Sequence, residues 1–87
     1  MIDIKVLGPG CANCERLERM TLEALSQLEA AHPGIEIGFE KVSDPMRFHE
    51  FGILNTPGLV INQQVVISGR LPTQEQIQGW LQAALPE

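Results

Sequence analysis

Positive charge is scarce in this chain, with six Lys and Arg against eleven Asp and Glu and a net charge of -5. Binding a phosphate backbone or an anionic headgroup relies on Lys and Arg displacing counterions, so nucleic acid and a membrane surface are poor partners. No apolar run approaches the roughly 20 residues that span a bilayer. Met1 to Gly10 also lacks the basic start, long apolar stretch and small-residue cleavage site of an export signal, and a cytoplasmic location is expected. Cysteine is scarcer still, with two residues, Cys11 and Cys14. In the reducing cytosol two cysteines so close together point to redox or metal chemistry more than to a structural staple.

What remains is the composition of a globular chain, 44% hydrophobic and 20% charged. A second core would leave each half of 87 residues too short to bury enough apolar surface, so residues 1–87 are expected to form one domain.

The apolar pattern alternates between strand and helix periods. Ile2, Ile4 and Val6 alternate with Asp3 and Lys5 and lead into Leu7, predicting a strand that ends at Gly8-Pro9-Gly10. From Cys11 to about His32, Leu17, Met20, Ala24, Leu28 and Ala31 recur every three or four residues, predicting a long amphipathic helix stopped by Pro33-Gly34. Ile35, Ile37 and Phe39 then alternate up to Val42 as a second strand, completing a βαβ unit. Ser43 or Asp44 caps a short helix with Pro45 at its first position, running to about Phe51, with Met46, Phe48 and Phe51 packing it on the sheet. Gly58 to Ile61 and Val65 to Ser68 read as two strands joined by a turn at Asn62-Gln63-Gln64. Thr73 and Gln76 form a capping box before a last helix, whose apolar face is Ile77, Trp80, Leu81, Ala84 and Leu85, with Trp80 in the core.

Cysteines three apart in the first helical turn point the same way, so their sulfurs can bond as a disulfide or separate slightly as thiols on one backbone. Cys11 falls near the N-cap, where unpaired backbone N–H groups and the positive end of the helix dipole favour thiolate over thiol. Cys11 is thus the expected nucleophile. Cys14, a turn further in and more buried, is expected to resolve a mixed disulfide. An exposed helix terminus contributes only about 0.3–1 kcal/mol, and Glu15 and Glu18 oppose the thiolate, so the activation is moderate. His32, His49 and Arg70 read as surface residues and not as part of this chemistry.

Gly10-Cys11-Ala12-Asn13-Cys14 after the first strand, together with Asn55-Thr56-Pro57 before the third, resembles the thioredoxin superfamily. The segment Gly8 to Cys14 and the run from Gly52 through Ile61 to Gly69-Arg70 most closely resemble the small redox-active disulfide proteins, a glutaredoxin-like group. The resemblance implies a thioredoxin-like α/β fold, a four-stranded mixed sheet flanked by three helices in the order βαβαββα. It also implies a disulfide that cycles between Cys11 and Cys14 and a cis-proline at Pro57, with Thr56 and Pro57 facing the substrate. The expected activity is dithiol-disulfide exchange with protein thiol or disulfide partners and an unidentified disulfide reductase, and no dissociable cofactor is implied. Ala12-Asn13 stands where thioredoxins carry Gly-Pro, and Gly10 where they carry Trp.

Two other readings stay open. Small copper-trafficking domains of ferredoxin-like fold also place Cys-x-x-Cys after a first strand, although here Pro9-Gly10 replaces their usual Gly-Met-x and the second half lacks their βαβ order. Two cysteines alone also fall short of four-coordinate zinc. A redox-inert docking domain that keeps the fold is the third possibility.

Overall fold

The computed structural model describes residues 1–85. Its elements are β1 (Ile2–Leu7), α1 (Ala12–Ala31), β2 (Ile37–Val42), α2 (Pro45–Glu50), β3 (Gly58–Ile61), β4 (Gln64–Ser68) and α3 (Gln74–Ala83). They form one four-stranded sheet in the order β2-β1-β3-β4. Strands β1 and β2 run parallel, as a crossover through α1 requires, while β3 runs antiparallel to both β1 and β4. The sheet is therefore mixed, and the architecture is the thioredoxin-like one.

The central strand explains the alternation at the start of the chain. Ile2, Ile4 and Val6 are essentially unexposed and face α1 and α3, joining Leu17, Ala24, Leu25, Leu28, Leu59, Ile61, Ile77 and Leu81 in the main core. Full burial of one such side chain stabilises the fold by about 1.5–3 kcal/mol. Leu7 points to the opposite face, where it packs with Val42, Ile53 and Val60 under Phe48 and Phe51. Helix α2 covers that second face, held in part by an Arg47 guanidinium that donates to both carboxylate oxygens of Glu40 on β2, at 2.5 and 3.3 Å.

Several boundaries differ from those read in the sequence. Ile35 lies before β2, because its backbone N–H is drawn into the turn after α1 and donates to the His32 carbonyl at 3.2 Å. Strand β4 begins one residue early, at Gln64, because Asn62 and Gln63 alone make the turn, with φ of 50° and 70°. Of the two candidate caps of α2, Asp44 is the one used, its carboxylate accepting from Met46 N–H at 3.0 Å. The stripe on α1 is wider than expected, with Thr21 and Leu25 buried, and Ala31 is exposed. Met46 is 75% exposed and does not pack on the sheet. Trp80 is half-buried at the margin of the main core. The capping box of α3 is present in full: Gln76 N–H donates to Thr73 Oγ1 at 3.1 Å and Thr73 N–H to Gln76 Oε1 at 2.9 Å.

Candidate redox site

Strand β1 hands the chain to α1 through Gly8-Pro9-Gly10. Gly10 adopts φ of +104°, a conformation that L side chains rarely take, and so turns the chain sharply into the helix. Cys11 follows as the N-cap, with φ of -70° and ψ of 166°. Its carbonyl accepts the first helical hydrogen bond, from Glu15 N–H at 3.0 Å, and its sulfur accepts from Cys14 N–H at 3.1 Å. A sulfur thus occupies the place that a Ser or Asp oxygen takes at an ordinary cap. The same N–H group and the helix dipole are placed to stabilise negative charge on that sulfur when it is a thiolate.

Cys11 and Cys14 are joined by a disulfide, with their Cα atoms 4.9 Å apart. The two sulfurs live in different surroundings. Cys11 is exposed, whereas Cys14 is 1% exposed. Leu17, one turn beyond Cys14 on the same face of α1, is wholly buried, which fixes the rotation of the helix and keeps Cys14 inward.

Residues distant in sequence reach the same end of the sheet. Leu7 pairs with Gly58, so Pro57, the residue before Gly58, arrives where Gly8 leads into the Cys11 turn. The Thr56–Pro57 peptide bond is cis. Pro57 is buried, and its carbonyl accepts from Gly69 N–H at 2.8 Å, tying this segment to the end of β4. Thr56 is half-buried beside the exposed Leu54 and Asn55. The four residues singled out in the sequence, Cys11, Cys14, Thr56 and Pro57, therefore lie at one end of the sheet, beside its two central strands.

Gly8 belongs to the same site. It is buried, its N–H donates to Val42 O at 2.9 Å, and a Cβ built on it would lie 2.8 Å from Cys14 Cβ and collide with Cys14 Sγ. Its only signal in the sequence was a second glycine close before Cys11.

Charges near the start of α1 are exposed or paired. Glu15 and Arg16 are exposed, and Glu18 pairs with Lys41 of β2 at 3.1 Å. His32, His49 and Arg70 are likewise exposed. Among the described residues, no three His, Cys, Asp or Glu side chains cluster so as to hold a metal ion.

The sequence compares with known proteins along nearly its whole length. A family model described as a thioredoxin domain matches residues 2–82. A protein named thioredoxin from Methanothermobacter thermautotrophicus is 36% identical over 77 residues, covering 88% of this chain and 94% of that protein. A second protein named thioredoxin, from Methanocaldococcus jannaschii, is 28% identical over 85 residues, covering 98% of this chain and 92% of its own length.

Proposed function

The chain belongs to the thioredoxin-domain family and is a thiol-disulfide oxidoreductase, and from that premise we propose that Cys11 attacks, Cys14 resolves, and Thr56-Pro57 lines the place where a protein substrate is held. The observation that carries this division of labour is the contrast in exposure between the two sulfurs. A substrate disulfide can reach Cys11 from solvent and cannot reach Cys14.

In the reducing direction, the Cys11 thiolate bonds to one substrate sulfur and the other leaves as a thiolate, giving a mixed disulfide. Cys14 then loses its proton and attacks Cys11 Sγ. The bond from Cys11 to the substrate sulfur breaks, that sulfur departs with the electron pair, and the Cys11–Cys14 disulfide is left. The short path from Cys14 to Cys11 makes this second step intramolecular, and so faster than release by a second external thiol. A dithiol donor, a disulfide reductase in the cell, returns the pair to the reduced state. The electron pair stays on sulfur throughout, so the exchange needs no dissociable cofactor.

The rest of the reading follows from composition. One domain acts in the reducing cytoplasm, and among the described residues no helix is long and apolar enough to cross a membrane. Partners are proteins that carry thiols or disulfides, since six Lys and Arg against eleven Asp and Glu suit neither nucleic acid nor anionic lipid.

The test is asymmetric trapping. Cys14→Ser keeps the attacking sulfur and removes the resolving one, so it should accumulate covalent complexes in cell extract that dithiothreitol dissolves. Cys11→Ser should trap little. Equal trapping by both variants, or preferential trapping by Cys11→Ser, contradicts the assignment of roles. A metal-handling pair predicts instead that either substitution weakens copper(I) binding alike, with no selective trapping.

A further inference from the structure

Two glycines precede the cysteine pair, and they are glycine for different reasons. Gly10 has φ of +104° and open space around its missing Cβ, so conformation selects it. Gly8 is not among the glycines with positive φ, and its backbone would accept an L residue. What excludes a side chain there is Cys14: a Cβ would collide with Cys14 Sγ and lie 2.8 Å from Cys14 Cβ. No other residue's atoms are among the nearest contacts of that Cβ. The strand end is anchored as well, because Gly8 N–H donates to Val42 O at 2.9 Å and Leu7 pairs with both Val42 and Gly58. Gly8 therefore cannot back away from Cys14 without breaking the end of the sheet.

The consequence depends on redox state. In the disulfide, Cys14 Sγ is tied to Cys11 and must stay against Gly8. In the dithiol it is free to turn about the Cα–Cβ bond into another staggered position. We infer that Gly8 is a positioning residue for the redox chemistry, a space reserved for the resolving sulfur in its bonded state, whose filling would penalise the disulfide more than the dithiol. The inference rests on the reading that the Cys11–Cys14 pair cycles.

The experiment is redox titration of the full chain and of Gly8→Ala in graded dithiothreitol buffers. In this exchange one dithiothreitol gives two hydrogens to the protein sulfurs and closes its own ring disulfide. The oxidised fraction is read by thiol blocking and intact mass. Gly8→Ala should shift the equilibrium at least about tenfold toward the dithiol, a potential about 30 mV less negative. Gly79→Ala, in open space on α3, should leave the equilibrium unchanged. Thermal melts supply a second readout: Gly8→Ala should lose more stability oxidised than reduced, and if the oxidised variant does not fold, dithiothreitol should restore it.

A parent that titrates with a Gly8→Ala equilibrium within twofold of its own overturns the inference and leaves the function standing. So does a variant unfolded in both redox states, which would make Gly8 merely structural, or an equal shift in Gly79→Ala. A parent that fails to exchange its disulfide overturns the function itself.

Discussion

Thr21 gives the sharpest test of the packing that supports the site. It lies on α1 two turns beyond Cys14, wholly buried, and its hydroxyl has no hydrogen-bond partner among the described residues. A buried donor left unsatisfied costs about 1–3 kcal/mol, whereas an apolar group of the same shape in its place does not. Valine is that group. Both residues are β-branched and close in helix propensity, so Thr21→Val changes little except the hydroxyl. Taking the low end of the range, the variant should gain about 1 kcal/mol, which for a domain of this size raises Tm by about 4–8 °C. The measurement is a thermal melt followed by circular dichroism with both proteins held oxidised, supported by urea unfolding with an unchanged slope. Thr21→Ser, which keeps the hydroxyl and loses the methyl, should be less stable than the parent. Equal or lower stability of Thr21→Val would refute the reasoning, showing that the hydroxyl is satisfied in the folded protein.

Thr73→Ala removes one half of the capping box of α3 and should cost about 0.5–2 kcal/mol, read as a lowered midpoint in urea. The hydrogen bond from Arg47 outweighs the opposing effect of burial and, with the charges of Arg47 and Lys5, holds the Glu40 carboxyl below its ordinary range. A carboxyl so lowered contributes stability that is fully present above the ordinary glutamate value of about 4.3 and is lost as pH falls through the lowered value. Glu40→Gln should therefore be less stable than the parent at neutral pH and should approach it in acid. The difference should be small and should shrink with salt, because the pair lies at the surface.

The parts legible in the sequence were those set by local chemistry. Alternation in Ile2 to Leu7, the Cys-x-x-Cys spacing at a helix start and the Thr73–Gln76 box each involve residues close in the chain, and each stands in the structure at the expected place. The parts that escaped depend on neighbours distant in sequence. Thr21 is polar by type and is buried because it lies on the same side of α1 as Leu17, Ala24, Leu25 and Leu28, which pack into the core with the sheet and α3, a fact that no window around residue 21 contains. Ile35 has the apolar character of a strand residue, yet its N–H is taken by the turn after α1, which delays β2 until Ile37. Met46 sits at the edge of a six-residue helix, too short to bring that side chain over the sheet as well as Phe48. Gly8 was visible as a glycine, but its closeness to Cys14 exists only once β1 and α1 have docked.

The most direct test of the central claim is whether Cys11 and Cys14 exchange as a pair. Purified protein carried through a glutathione series and quenched with a thiol-blocking label should pass in one two-electron step between a form with no label and a form with two, the unlabelled form lighter than the unmodified dithiol by two hydrogens. The step should reverse when the series is run the other way. Free thiols that persist at the oxidising end, or a disulfide between chains in place of the intramolecular one, would contradict the account.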